Sequence, residues 1–297
     1  MALSTVKALI NGQTYNLTLN SSTGKYESTI TAPDKSSYNN SGGYYPVTIT
    51  ATDNAGNVTT VDPSTATIGN SLKLVVKEVT PPVINITSPT TGAYIINNKP
   101  DIKFTVMDND SGVNSDSITI NIDGTNYTSG IVKTAVTGGY SCTYTPDSAL
   151  SDGKHTIYVT AKDNDENTAI SSYVDITVDT NPPELVITSP SDNLVTNKSS
   201  IMVTGTTNDI TSSPVTLTIN GENVTVQSDG SFSHSVDLNV GTNTITIISK
   251  DAAGKTTTVV RNVLRDDSAP VINSVSVTPN PVTVGQTFTL SVNATDD

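Results

Sequence analysis

One strand occurs three times in this sequence, always in the same phase. The segments "GYYPVTITATD", "GKHTIYVTAKD" and "GTNTITIISKD" begin at Gly43, Gly153 and Gly241, and each glycine stands ten positions before an aspartate, Asp53, Asp163 or Asp251. Val47, Ile49 and Ala51 align with Ile157, Val159 and Ala161, and with Ile245, Ile247 and Ser249. Alternation with a period of two sets these residues on one face of an extended strand. A strand with one apolar face must cover it, so each copy needs a core of its own.

Three further units keep the same phase. "VKALING", "ITINIDG" and "VTLTING" end at Gly12, Gly124 and Gly221, where Asn-Gly or Asp-Gly predicts a tight hairpin turn. Gly24, Gly138 and Gly230 are each followed two residues later by an aromatic, Tyr26, Tyr140 or Phe232, expected to anchor a small core. "TPPVINITSP", "NPPELVITSP" and "SAPVINSVSV" open the repeats with Pro82, Pro183 and Pro270. Proline fixes the backbone and removes a ladder donor, which suits a boundary or an edge strand. The residue 26 positions after each of these prolines is acidic, Asp108, Asp209 or Asp296, which aligns "DIKFTVMD", "SIMVTGTTND" and "TFTLSVNATD" as a second strand.

Composition agrees with several thin cores. Of 297 residues only 34% are hydrophobic and 14% charged, with no Trp and 3 Phe, a balance of half-solvated strands and polar turns that leaves little room for helix. The net charge of −13 repels phosphate backbones and anionic headgroups, and no run of Lys or Arg offsets it, so neither nucleic acid nor membrane insertion is expected. Cys142 is the one cysteine, which excludes an intrachain disulfide. The segment "MALSTVKALINGQTYNLTLN" has no apolar stretch of the length a secretory signal needs; synthesis in the cytoplasm and a place in a virion or outside the cell after release are the expectation.

Repeats of roughly 90 to 100 residues made of short strands punctuated by turns predict antiparallel sandwiches. With "ATDNAGN" (51–57), "SKDAAGK" (249–255) and the "PPVINITSP" openings, the chain resembles the tandem bacterial immunoglobulin-like domains of surface adhesins and phage virion proteins. The resemblance implies an all-β fold of tandem immunoglobulin-like sandwiches arranged as a rod, and a structural or adhesive role, foremost a tail, fibre or decoration component of a phage or prophage virion. A segment of a secreted bacterial adhesin is the alternative, and a glycan-binding module using the exposed aromatics Tyr44, Tyr45 or Tyr94 as sugar platforms a further one. A fold alone does not decide among them.

The phase alignment divides the chain into a shortened domain over 1–79, complete domains over 80–179 and 180–267, and a two-strand segment over 268–297. The first repeat lacks the two opening strands, and the last segment consists of them. A window cut from a longer array would look the same. The sharper expectation is exchange, in which the last two strands of one copy complete the first sandwich of another and so assemble head to tail. Val6, Ile10, Val47 and Ile49 would receive Val271, Val275, Phe288, Leu290 and Val292.

Candidate chemistry is sparse. His155 aligns with Tyr45 and Asn243, and His234 with Ser28 and Cys142, so neither marks a repeated site, and no G-x-S-x-G or H-E-x-x-H occurs. No catalytic, cofactor or metal residue is assigned. Cys142 alternates with Tyr140 and Tyr144 and reads as a small core residue. The oxygen-rich loops at Asp53, Asp108, Asp163 and Asp266 are the one lead towards calcium. Asp, Asn and Gly are also what strand-connecting turns require, and turns are the preferred reading, the more so because "DAAGK" at Asp251 has a single carboxylate.

Overall fold

The structure, a computed structural model, describes residues 3–296. The chain divides into two units, Met1–Val178 and Asp179–Asp297. The first begins with a single sheet of β1 (Leu3–Ile10), β2 (Gln13–Asn20), β3 (Lys25–Glu27), β4 (Tyr45–Asp53), β5 (Val58–Val61) and β6 (Lys73–Leu74). Its order is β3-β2-β1-β4-β5, with β6 on β4. The turn between β1 and β2 puts Asn11 at φ 49° and Gly12 at φ 77°. Two left-handed residues in succession match the right-handed twist of the strands they join, which is why Asn-Gly stands there. Asp123 and Gly124, and Asn220 and Gly221, repeat this geometry.

A complete sandwich follows, with β7 (Val83–Ser88), β8 (Ala93–Ile95), β9 (Ile102–Met107), β10 (Val113–Ile122), β11 (Thr125–Tyr127), β12 (Val132–Val136), β13 (Gly139–Tyr144), β14 (Gly153–Asp163), β15 (Thr168–Ile170) and β16 (Val174–Val178). One sheet runs β11-β10-β14-β16-β8 with β15 on β14, and the other β12-β13-β9-β7. Ile102, Phe104 and Val106 of β9 meet Ile118 and Ile120 of β10 and Ile157 and Val159 of β14 in one core, all buried. Alternation within each strand produces this, since every second side chain faces the opposite sheet.

The second unit repeats the plan (counting the N-terminal sheet first, these two are called the second and third sandwiches) with β17 (Glu184–Ser189), β18 (Leu194–Thr196), β19 (Ser200–Asn208), β20 (Thr216–Ile219), β21 (Glu222–Val224), β22 (Ser231–Asp237), β23 (Gly241–Lys250) and β24 (Thr256–Arg265). Sheets β17-β19-β22 and β18-β24-β23-β20-β21 enclose Val203, Leu217, Ile219, Phe232, Ile245, Ile247 and Val263. A hairpin of β25 (Val271–Thr278) and β26 (Thr289–Thr295) ends the described residues.

By phase, β1 and β4 correspond to β10 and β14, and β25 and β26 to β7 and β9. The N-terminal strands form one sheet, and the burial of Val6, Ala8 and Ile10 shows that other residues of the chain already cover its apolar face. Val6 and Ile10 are each 8% exposed on it, with Val47 and Ile49 half-buried. In the hairpin Val271, Val275, Phe288, Leu290 and Val292 are 54 to 58% exposed. Three of the expected aromatic positions behave differently from one another. Phe232 is buried in its core, Tyr140 is half-buried at the start of β13, and Tyr26 is half-buried on a strand that pairs only with β2. A single 3-10 turn, Gly69–Leu72, is the helical element among the described residues.

Candidate metal centres

Three kinds of loop supply the acidic side chains. At the end of the repeated strand, Asp53, Asp163 and Asp251 each accept the backbone N–H four residues on, from Asn57 at 2.9 Å, Asn167 at 2.8 Å and Lys255 at 2.8 Å. In the first two loops the asparagine also donates its side-chain amide to the second oxygen, at 2.9 Å in Asp53 and 2.7 Å in Asp163. Those bonds from Asn57 hold the Asp53 carboxyl below the usual aspartate range. Lys255 has no amide, and its ammonium donates to the Thr180 carbonyl at 2.5 Å. Asp251 Oδ2 is left buried with no hydrogen-bond partner.

The second kind follows β9 and β19. Asp108 Oδ1 accepts the N–H groups of Asp110 and Gly112, both at 2.9 Å, and Asp209 Oδ1 those of Thr211 at 2.8 Å and Ser212 at 2.7 Å. The third kind is the stretch leading into each repeat, where Glu78 and Asp179 stand four residues before Pro82 and Pro183. Glu78 Oε1 accepts the Ser111 N–H at 2.7 Å, and Asp179 Oδ2 accepts the Ser212 hydroxyl. Ser111 and Ser212 are each the third residue after the loop aspartate, but the first offers its backbone N–H to the acid and the second its hydroxyl.

Two trios result, Glu78 with Asp108 and Asp163, and Asp179 with Asp209 and Asp251, each offering ligand atoms within 4.8 Å of one another. Five of the six side chains are buried, and Glu78 is half-buried. Among the described residues none of the six lies in an ion pair with Lys, Arg or His. At 4.8 Å and an effective dielectric near 20, each pair of ionised carboxylates repels by roughly 3 to 4 kcal/mol. The local turns expected from the sequence are present. In the sequence Asp108 and Asp163 read as separate loops, Asp251 stands aside, and Glu78 and Asp179 have no part. The signal that joins them is the equal offset of Glu78, Asp179 and Asp266 from the repeat prolines. Asp266 itself accepts the Ser268 N–H at 3.0 Å in a short turn.

The remaining polar candidates serve structure. His155 is 6% exposed, with Nδ1 2.6 Å from Asp123 Oδ2 and Nε2 2.8 Å from the Ser151 carbonyl. Burial opposes the charged ring, but these two acceptors outweigh it and raise the pKa above the ordinary histidine value. A raised folded-state pKa stabilises fully below the unfolded value of about 6.5, and this contribution fades as pH climbs through the folded value. The melting temperature of the second sandwich should therefore fall as pH rises from about 6.5 through the higher folded-state value, and His155→Gln should flatten that slope. Equal slopes in both proteins would reject the assignment.

His234 Nε2 sits 3.4 Å from Glu222 Oε2 at the surface of the third sandwich. Cys142 is 1% exposed, and burial pushes its thiol up against the pull of Lys133, which suits a core residue. Of the three tyrosines expected as exposed platforms, Tyr45 is buried. It packs at the start of β4, and its hydroxyl donates to the Lys35 carbonyl at 3.2 Å. Lys73 Nζ lies 5.3 Å from the centre of the Tyr44 ring, and Tyr94 is 40% exposed.

Two sandwiches of antiparallel strands, closed by short parallel strands at one edge and built on a phase-locked repeat, define a protein of tandem immunoglobulin-like domains. Residues 82–159 match the family model described as a bacterial Ig domain, and residues 183–266 match that of glucodextranase, domain B. Bacillopeptidase F of Bacillus subtilis (strain 168) is 30% identical over 191 residues, which is 64% of this chain and 12% of that protein. The chain thus spans about an eighth of this curated relative. Among solved structures, an I-band fragment of titin is 13% identical with a TM-score of 0.44, covering 88% of this chain and 87% of that one. The fibronectin(III)-like modules of Clostridium thermocellum CbhA are 17% identical with a TM-score of 0.36, covering 62% and 94%. No helix among the described residues is long and apolar enough to cross a membrane.

Proposed function

We propose that this chain is a non-enzymatic structural or adhesive module of a longer bacterial protein that works outside the cell. The observation that carries the reading is where the reactive side chains went. Cys142 is sealed in a core and His155 is held between two structural acceptors, so neither presents a nucleophile or a free base to a substrate. The match to Bacillopeptidase F, confined to 12% of that protein, supports an accessory segment of a large polypeptide over the virion component expected from the sequence. In this reading the sandwiches hold other parts at a distance or present a surface.

Exchange of strands between copies is the finer part of the proposal. The hairpin displays the kind of apolar strands that form a second layer elsewhere, and because Val6 and Ile10 are already buried within the chain, exchange would require the hairpin to displace the residues that cover them. Two experiments test the two parts. Protein and polysaccharide substrates incubated with the purified chain should show no turnover above buffer, and activity that survives repurification would overturn the non-enzymatic reading. Light scattering across a concentration series should show multimers for the full chain and monomers for a version ending at Arg265. Monomers in both would remove strand exchange and leave the spacer role standing.

A further inference from the structure

The two carboxylate trios have the geometry of a shared ion. Oxygens bound to one calcium at 2.3 to 2.6 Å lie at most about 5 Å apart, and both trios keep their ligand atoms within 4.8 Å. Three carboxylates with no Lys, Arg or His of the described residues in ion-pairing reach carry a local charge that a divalent cation would offset. In each trio an independent observation points the same way: beside the first, Ser111, whose N–H binds Glu78, is 0% exposed and its Oγ has no hydrogen-bond partner. In the second, Asp251 is 5% exposed and its Oδ2 has no donor, an arrangement that costs free energy unless something positive faces it.

Repetition within the chain adds weight. Other aligned positions change freely, as His155 does against Tyr45 and Asn243, yet all three trio positions are acidic in both complete sandwiches. They come from three separate loops that pack together in each case.

We propose that each trio, Glu78 with Asp108 and Asp163 and Asp179 with Asp209 and Asp251, binds one divalent cation of the calcium class. Carboxylate oxygens would supply three ligands, with loop carbonyls and water completing the six to eight that calcium takes. Magnesium is the poorer fit, because it demands a tight octahedron and the carboxylates are already fixed by backbone donors. Ion binding of this kind does not depend on the adhesive role.

The effect would be mechanical order at the entry to each sandwich. In the first unit, the loop of residues 108–112 also holds the loop between β3 and β4, where the Asp110 carboxylate accepts the Ser36 N–H at 3.0 Å and the Asp110 carbonyl accepts the Asn39 amide at 2.5 Å. Ser37 donates its backbone N–H to the Val76 carbonyl at 2.9 Å, and Glu78 donates its own to Asp165 at 3.0 Å. An ion on Glu78, Asp108 and Asp163 would lock that linker to both of its neighbours.

The test uses the full chain stripped with EDTA, with calcium chloride and magnesium chloride as probes. Titration calorimetry should find about two calcium ions per chain with dissociation constants near 10⁻⁴ to 10⁻³ M, the range of extracellular modules. Calcium at several millimolar should raise the melting temperature by roughly 5 °C or more. Asp163→Asn and Asp251→Asn keep the turn-forming oxygen, and each should remove one ion. The second should also lose the calcium shift of the third sandwich alone. No heat and no shift up to about 10 mM calcium, equal shifts with magnesium, or full stoichiometry in both variants would each overturn the proposal. Absence of binding by wild type together with tight pairing of Lys255 to Asp251 in a charge-reversal cycle would show that lysine replaces the ion.

Discussion

Phe104→Ala should destabilise the second sandwich by about 3 to 5 kcal/mol, because it empties the centre of that core. Phe104 is 1% exposed and lies on the central strand β9, opposite Ile86 on β7 and Cys142 on β13. The surrounding layer is built from β-branched residues such as Ile118, Ile120, Ile157 and Val159, whose stiff side chains cannot collapse into the hole. For a domain of this size the loss lowers the melting temperature by about 15 to 30 °C. Scanning calorimetry should show that transition displaced while the third sandwich melts as before, since the two cores have no side chain in common. A common shift of both transitions would disprove independent cores.

Gly205→Ala is the second large effect, and it acts through space. Gly205 on β19 pairs with Phe232 on β22 and Ile187 on β17. A methyl group there would lie 2.1 Å from the Val186 carbonyl oxygen and 2.8 Å from the Phe232 ring. Backbone cannot step aside as a flexible side chain can, so β17 must part from β19 or the ring must leave its place over the glycine. A cost of about 2 to 3 kcal/mol is expected, read as a lower urea midpoint for the third sandwich. A midpoint within error of wild type would mean that this sheet edge is looser than its hydrogen bonds imply.

Phase is the part of the fold that can be read directly. Ten residues from glycine to aspartate and the Asn-Gly and Asp-Gly turns locate β4, β14 and β23 and the hairpins before them, because alternation and left-handed turns are local properties. Burial depth is less legible. Tyr45 reads as exposed and is buried, whereas Tyr140 reads as central and sits at a strand end, because burial depends on which layer faces a position and not on the strand alone. The carboxylate clusters are the least legible. Each draws on three loops far apart in sequence, and Asp108, Asp163, Asp209 and Asp251 taken singly are sound turn residues with their own backbone donors. Only the second oxygen of Asp251, stripped of its amide partner by Lys255, departs from what a turn needs.

The short parallel pairs at the sheet edges carry a consequence for load. Ala93 to Ile95 on β8 pair with Ile176 to Val178 on β16, and Leu194 to Thr196 on β18 with Val263 to Arg265 on β24. In each sandwich one partner lies near the entry of the chain and the other at its exit. Tension on the two ends pulls such partners along their own axes in opposite directions, so their hydrogen bonds must shear together and cannot open one at a time. A stretched chain would then hold its length in these two sandwiches until the clamps fail. The N-terminal sheet has no parallel pair among the described residues, and it would be the first part to yield.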